Sequence, residues 1–428
     1  MNPKKISHYS LSEEYFYMKH PAGLDIYVYP KKGYSSKYAI LGTDFGSINN
    51  KFKLKNQPSF TEVPDGIAHY LEHKLFANKN GDAFELFSKT GASANAYTSF
   101  EKTAYLFSCT ENFEDSLNIL LDFVQSPYFT KENVEKERGI IAQEIKMYQD
   151  SPEWKVLINL LNALYVNHPV KIDIAGSVES ISRITPELLY ECYNNFYNLH
   201  NMALCIVGDV NPEAMFELVD KKLTYSNPLE VTKFFPFEPP EIAKPFISES
   251  FDIQSSIFNL GFKENVKTAQ RASTEDSAYT DILLYYLTSP SCEMYKELLS
   301  KELINISSFS AEHFEGPGYS SIIFSGESSN PEKASEIIKN YTQKILTSGI
   351  DSKAFERVKK AAYGKSMSVF NSVSSIANVL LDFTFSGKGF FEYMDILENA
   401  SCEKLNTCLK EKLQSEKAAL SVVKPNEL

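Results

Sequence analysis

His69-Tyr70-Leu71-Glu72-His73 places three chemically matched side chains at neighbouring positions of a predicted helix. Residues four apart on a helix lie one turn above each other, so both imidazoles can point at the same spot. Glu72 lies beside that spot. Two neutral imidazoles and one carboxylate on a single helix are typical of a catalytic zinc site, here in the reverse order of the commoner HExxH motif. The segment predicts that His69 and His73 bind Zn²⁺ and that Glu72 is a general base.

A zinc site of this kind needs a third protein ligand, and residues 134–145 offer two candidates. Glu137 and Glu144 are seven residues apart, two helical turns, and therefore share a face beside an apolar stripe of isoleucines. A carboxylate at the rim of a buried helix face is costly unless something pairs with it, and a metal ion would. The alternative is a solvated, charged helix. The upstream motif favours the metal site.

The downstream segment at residues 91–98 predicts an edge that receives an extended chain. Ala94 and Ala96 flank Asn95, and such small residues allow another backbone to approach closely. A peptide could add here as a strand, which would leave its scissile carbonyl near the metal. A plain structural turn is the alternative, and this segment alone does not separate the two.

The composition argues against several classes of protein. With 428 residues, 43% of them apolar, the chain is long enough for two cores. It has no run of about 18 apolar residues and no apolar stretch after Lys4 and Lys5, so neither a membrane helix nor a signal peptide is expected. The net charge of −12 argues against nucleic acid and anionic membrane as partners. The six cysteines lack CxxC spacing, which predicts reduced thiols and a cytoplasmic protein.

Prolines cluster in a segment of weak periodicity that divides the chain. This segment predicts an extended linker at residues 226–245, between domains at residues 1–225 and 246–428. In both parts, β-branched and aromatic runs are separated by amphipathic stretches, which predicts an α+β sandwich in each. The expected strands are residues 25–29, 103–109, 203–207 and 320–325, and the expected helices include residues 112–124 and 186–197.

The two parts repeat weakly at an offset of 221 residues. Residues 130–136 resemble residues 351–357, and each segment starts with an N-cap residue. The same offset carries the pentapeptide onto residues 290–294, which contain no histidine. The positions opposite the two glutamates are Val358 and Lys365. The sequence therefore predicts a duplicated unit of which only the first copy keeps metal chemistry.

Taken together, these segments resemble the insulinase/pitrilysin family of zinc peptidases, the inverzincins, which includes the mitochondrial processing peptidase. The resemblance rests on the pentapeptide and on Glu137 and Glu144 downstream of it. It extends through residues 91–98, 168–181 and 201–210, and so covers most of the first half. The chain is most similar to the small bacterial members of the family, which are related to processing-peptidase subunits.

The resemblance implies two homologous α/β-sandwich domains joined by the extended linker. They would form one half of a clamshell that encloses peptides. It also assigns three groups of residues by position: the zinc ligands His69, His73 and Glu144, the catalytic residues Glu72 and Glu137, and the substrate-backbone contacts Ala94, Asn95 and Ala96.

The second half departs from the family pattern. Many members carry an Arg and, seven residues later, a Tyr, which hold the substrate and its developing oxyanion. Leu299 and Ile306 occupy the aligned positions, and neither side chain can donate a hydrogen bond. We therefore expect a homologous partner subunit that supplies the Arg and the Tyr and closes the chamber.

Together, these expectations predict that the chain is a zinc metalloendopeptidase subunit in the cytoplasm. It would be the metal-bearing half of a heterodimer that hydrolyses peptides or unfolded segments. General peptides and the leader of a ribosomally made peptide both stay open as substrates. The alternatives are a non-catalytic scaffold, which degenerate zinc ligands would mark, and a chamber that binds peptides without cutting them.

Overall fold

The computed structural model describes residues 3–55, 57–79 and 81–426. The strands are, in chain order, β1 (Lys4–His8), β2 (Glu13–Lys19), β3 (Asp25–Pro30), β4 (Lys37–Thr43), β5 (Lys51–Leu54), β6 (Thr61–Glu62), β7 (Ala77–Asn78), β8 (Gly81–Asp82), β9 (Ser93–Thr98), β10 (Thr103–Cys109), β11 (Met202–Gly208), β12 (Val231–Lys233), β13 (Phe246–Phe251), β14 (Ser256–Lys263), β15 (Ser310–Gly316), β16 (Tyr319–Ser328) and β17 (Ala418–Pro425).

The helices are, in chain order, α1 (Ile67–Phe76), α2 (Ala83–Thr90), α3 (Phe113–Val124), α4 (Lys131–Gln149), α5 (Pro152–Leu164), α6 (Val178–Ser182), α7 (Pro186–Phe196), α8 (Pro212–Lys222), α9 (Thr274–Thr288), α10 (Glu293–Ser300), α11 (Pro331–Ser348), α12 (Ser352–Met367), α13 (Val373–Ser386), α14 (Phe390–Asn399) and α15 (Cys402–Leu409). Within the described residues, no helix combines the length and apolar character that crossing a membrane requires.

The first compact unit is built on a sheet with the strand order β1-β2-β3-β11-β4-β10-β9. β11 runs parallel to β3 and antiparallel to β4, and all of its residues are buried. Such a continuous apolar run is typical of a strand covered on both faces. Leu204 and Ile206 belong to a core shared with α1 and α3. On the opposite face, Gly42 of β4 lies against Leu381 and Phe385 of α13.

The second compact unit is built on a sheet with the strand order β13-β17-β14-β16-β15. β13 and β17 are parallel, and the other neighbouring strands are antiparallel. Phe258, Leu260 and Phe262 of β14 pack into a core with α9 and α11. A Cβ atom added to Gly261 would lie 2.7 Å from Leu164 of α5, so this helix covers the other face of the sheet. The structure confirms an α+β fold with two sheet-containing domains.

Each sheet is covered on one face by a helix from the opposite part of the sequence. The first unit comprises the residues up to 145 with residues 173–234 and 368–390, and the second comprises the remainder. α5 therefore belongs to the second unit and α13 to the first. The expected division into residues 1–225 and 246–428 did not include this exchange of α5 and α13 between the two parts of the sequence. The reason is that an amphipathic pattern shows which face of a helix is apolar but not which sheet it covers. Residues 1–2 and 427–428 of that division lie outside the described part of the chain.

The segment of the expected linker, residues 226–245, is held at two places. In the first unit, β12 pairs with β5 in a small sheet. In the second unit, the carboxylate of Glu238 accepts hydrogen bonds from the backbone amides of residues 166–168 and from Lys263, at 2.6 to 2.8 Å. The segment therefore contains a strand and contributes Glu238 to a buried ion pair.

The helices aligned by the repeat begin 221 residues apart, at Lys131 for α4 and at Ser352 for α12. The residue opposite His73 is Met294, which is fully buried in the second core, and Val358 opposite Glu137 is buried as well. The second unit thus has apolar packing at the positions that correspond to His73 and Glu137 of the first unit.

Candidate active site

Helix α1 is placed by a tight approach of two backbone segments. It begins after Gly66, whose φ of 88° lies in the left-handed region. A Cβ atom at Gly66 would lie 2.3 Å from the carbonyl oxygen of Ala175, so a larger residue would push the two segments apart. The hydroxyl of Tyr70 donates a hydrogen bond to the carbonyl of Val134, which ties α1 to the start of α4. This contact brings the His69–His73 face of α1 opposite the acidic face of α4.

The structure brings His69, His73 and Glu144 together. Glu144 Oε1 lies 3.6 Å from His69 Nε2, and Glu144 Oε2 lies 3.3 Å from His73 Nε2. The candidate ligand atoms of the three residues all lie within 4.8 Å of one another. Two nitrogen donors and one carboxylate oxygen are the ligand set of many catalytic zinc sites.

Two observations indicate that these residues fit a zinc ion. His73 Nδ1 lies 3.2 Å from Glu137 Oε1, which fixes the ring so that Nε2 is directed at Glu144. The Nδ1 atom of His69 is buried and has no hydrogen-bond partner among the described residues, which leaves Nε2 as the nitrogen that faces Glu144. Both Nε2 atoms are therefore presented on the Glu144 side, where a cation would be bound.

The electrostatics of the three residues also favour a cation. Burial lowers the pKa of His73, but hydrogen bonds with Glu137 and Glu144 outweigh it and raise this pKa to about 10. The hydrogen bonds with His69 and His73 hold the pKa of Glu144 well below its usual range. The site therefore stabilises positive charge strongly, and a divalent cation would displace the proton of the His73 imidazole on binding.

Glu72 lies beside the three candidate ligands and is 9% exposed. Its Oε2 atom accepts a hydrogen bond of 2.7 Å from the hydroxyl of Thr98, the last residue of β9. Burial raises the pKa of Glu72, while His69 and the Thr98 hydrogen bond oppose that shift. A carboxylate whose pKa is raised and whose orientation is fixed is suited to take up and release a proton during catalysis.

Strand β9, which carries Ala94, Asn95 and Ala96, lies at one end of the first sheet and pairs with β10. Ala94 and Ala96 are half-buried and pack against the first core, whereas Asn95 is exposed. The backbone N–H of Ala96 donates to the side-chain oxygen of Asn95 at 2.8 Å. This backbone N–H therefore donates to a side chain of its own strand. It could donate to another acceptor if the Asn95 side chain moved away.

Sequence reasoning assigned no role to two residues that contact the site. The role of Thr98 was not predicted because its contact with Glu72 depends on how α1 packs against β9. Lys74 is 2% exposed, and its ammonium lies 3.4 Å from Glu137 Oε2. A signal for it was present, since Ile67, Leu71 and Lys74 follow the i, i+4, i+7 spacing of a buried helix face.

Leu299 and Ile306, the residues at the expected Arg and Tyr positions, lie in the second unit. Leu299 is on α10 and is 38% exposed, and Ile306 follows that helix and is 61% exposed. Both are large apolar side chains at the surface.

Two family models match the chain. The model described as insulinase (peptidase family M16) matches residues 59–178, which include the pentapeptide, Glu137 and Glu144. The model described as peptidase M16 inactive domain matches residues 183–362.

Individual relatives agree with the family models. A Bacillus subtilis (strain 168) protein named uncharacterized zinc protease YmfH is 38% identical over 428 residues, covering 99% of each chain. The mitochondrial-processing peptidase subunit beta of Caenorhabditis elegans is 31% identical over 167 residues, 37% of this chain and 36% of that protein. The crystal structure of an M16-like peptidase from Alicyclobacillus acidocaldarius is 32% identical, with a TM-score of 0.91, and the match covers 100% of this chain and 99% of that one. The chain therefore belongs to the insulinase family, peptidase family M16.

Proposed function

We propose that the chain is the metal-bearing subunit of a zinc-dependent endopeptidase that cleaves peptides or unfolded segments. The observation that carries this proposal is the convergence of His69, His73 and Glu144 within 4.8 Å, with Glu72 held beside them. Its membership of a peptidase family supports the same activity. The alternative of a non-catalytic scaffold would be marked by degenerate ligands, and here the ligand set and the base are complete.

The residues of the chain divide the chemistry among them. When bound, a zinc ion supplies a Lewis acid that polarises a peptide carbonyl and lowers the pKa of water. His69, His73 and Glu144 would hold the ion, and Glu137 would orient the His73 ring. Glu72 takes a proton from the attacking water and passes it to the nitrogen of the leaving amine. Thr98 keeps the Glu72 carboxylate in place during both transfers.

The substrate would bind as an added strand on β9. Ala96 offers its N–H once the side chain of Asn95 turns away, and the small side chains of Ala94 and Ala96 leave room for another backbone. Because Thr98 at the end of the same strand contacts Glu72, a peptide that follows β9 would lead toward the base. This arrangement fits extended peptides and unfolded segments better than folded proteins.

A homologous partner subunit would complete the active site. The apolar side chains of Leu299 and Ile306 cannot stabilise a developing oxyanion, so donors must come from elsewhere. One relative is named as a subunit of the mitochondrial-processing peptidase. We place this assembly in the cytoplasm because the six cysteines are free.

The decisive variant is Glu72→Gln, which keeps the size of the side chain and removes the base. We expect the purified protein to retain zinc and to lose peptide cleavage by a factor of about 10² to 10⁴ in kcat. Glu132→Gln is a matched control because Glu132 is exposed on the first turn of α4. Unchanged cleavage by Glu72→Gln would contradict the proposed mechanism.

The partner is tested by assaying the purified chain with and without the protein encoded by the neighbouring gene. We expect cleavage of an unfolded peptide only when both chains are present. Full activity of the chain alone would contradict the heterodimer while leaving the zinc chemistry intact. The leader of a ribosomally made peptide should be included among the substrates because it distinguishes processing from general degradation.

A further inference from the structure

Lys74 is a buried cation that the proposed chemistry does not use. It is 2% exposed on α1, a helix that also buries the apolar side chains of Leu71 and Leu75. Lysine is almost never buried to this extent unless its charge is paired, because removing an ammonium group from water is costly. Burial at this position therefore needs a reason.

The ammonium of Lys74 pairs with the glutamate that orients the His73 ring. Its Nζ atom lies 3.4 Å from Glu137 Oε2, while the other oxygen of the same carboxylate, Oε1, lies 3.2 Å from His73 Nδ1. Each oxygen of Glu137 thus has its own partner, and both partners come from consecutive residues of α1. The chain of contacts runs from Lys74 through Glu137 to His73, whose Nε2 atom is directed at Glu144.

The geometry indicates what Lys74 contributes. A carboxylate with a single partner can rotate about its terminal bond and exchange its two oxygens. A cation on Oε2 opposes that rotation and leaves Oε1 to accept the Nδ1 proton of His73. A fixed ring orientation in turn fixes the direction of the Nε2 lone pair.

We infer that Lys74 is a positioning residue for the metal, which acts through Glu137 to hold the His73 ring in its zinc-binding orientation. This inference rests on the proposed zinc site. A merely structural role is the alternative, in which the ion pair only joins α1 to α4. The two roles differ in the property that depends on the ion pair: in a structural role its loss lowers only the stability of the fold, whereas in a positioning role its loss also weakens zinc binding through Glu137.

A double-mutant cycle on zinc affinity separates the two roles. The dissociation constant for zinc is measured by competition with a chelator in the wild type, Lys74→Met, Glu137→Gln and the double variant. We expect Lys74→Met to weaken zinc binding about tenfold in the wild-type background. In the Glu137→Gln background, the same change should weaken binding by less than about threefold, because the intermediary is already lost. An equal effect in both backgrounds, or none in either, would overturn the inference.

Lys263→Met is the matched control. Lys263 is also buried, at 3% exposure, and pairs with Glu238 at 2.6 Å in the second unit. We expect this variant to lower Tm without changing the zinc dissociation constant. If it weakened zinc binding as much as Lys74→Met does, the effect would reflect general destabilisation and the inference would fall.

Two further provisions keep the test decisive. If Lys74→Met does not fold, the cycle is measured with Lys74→Gln, which retains a hydrogen-bond donor but removes the charge. If the wild-type chain binds no zinc, that result would contradict both the proposed function and this inference. If the wild-type chain binds zinc but Lys74 and Glu137 show no coupling in zinc affinity, that result would contradict this inference alone.

Discussion

At the scale of single residues, the hydrogen bond between Thr98 and Glu72 has a measurable consequence. Thr98→Val keeps the shape of the side chain and removes the hydroxyl that donates a hydrogen bond of 2.7 Å to Glu72. We expect kcat to fall about tenfold, because hydrogen bonds to charged groups are among the stronger ones. Zinc content should be unchanged, since Thr98 is not a ligand. Steady-state kinetics with metal analysis would check this, and Thr347→Val on the exposed side of α11 is the control.

His168 gives the chain a pH-dependent stability. Burial lowers the pKa of His168 to about 4, although the hydrogen bond with the Pro317 carbonyl and the charge of Glu238 oppose the shift. The unfolded chain, with a pKa near 6.5, takes up the proton first, so stability falls as the pH decreases from about 6.5 toward 4. The shift predicts a loss of about 2 kcal/mol between pH 7 and pH 5.

The comparison with His168→Gln isolates this contribution. Glutamine is neutral throughout the range, so the part of the pH dependence that belongs to His168 should disappear. The free energy of unfolding is measured by denaturant titration at pH 7 and pH 5 for both proteins. Identical pH dependence in the two proteins would contradict a buried, neutral His168.

The clustering of the candidate metal ligands could be predicted from the sequence because it depends on local geometry. His69 and His73 share a helix, and Glu137 and Glu144 share another, so helical periodicity alone places each pair on one face. Thr98 and Lys74 act through contacts between α1 and two other elements, β9 and α4. Periodicity does not reveal such contacts.

At the scale of elements, β9 is the feature with the clearest functional consequence. Ala96→Pro removes the backbone N–H that donates a hydrogen bond to the Asn95 side chain, and proline is tolerated on an edge strand. We expect kcat/KM for an extended peptide to fall by at least about tenfold, because one main-chain hydrogen bond to the substrate is lost. Zinc stoichiometry and the far-UV CD spectrum should match those of the wild type. Unchanged kcat/KM in a properly folded variant would mean that substrate does not pair with β9 at Ala96.

The individual elements were predicted more closely than their arrangement. The helices expected at residues 112–124 and 186–197 occur as α3 and α7, with ends that differ by one residue. The strands expected at residues 25–29 and 203–207 occur as β3 and β11. Their parallel pairing is a long-range property that neither segment encodes alone.

At the scale of the whole molecule, the exchange of α5 and α13 means that neither half of the sequence carries a complete unit. A fragment of residues 1–225 lacks α13, which lies against Gly42 on the first sheet. We expect this fragment to aggregate or to unfold without cooperativity, because one apolar face of the sheet is left exposed. Size-exclusion chromatography and thermal unfolding would check this. A monomeric fragment with a sharp transition would contradict the importance of α13.

The proposed active site depends most on zinc being bound by His69, His73 and Glu144, and metal analysis of the purified chain tests that directly. Wild-type protein and Glu144→Gln, which removes a ligand charge without changing side-chain size, would be dialysed against trace zinc and analysed for bound metal. We predict one zinc ion per wild-type chain and a large loss of zinc from the variant. A wild-type chain without zinc, or a variant that retains zinc with unchanged affinity, would contradict the account.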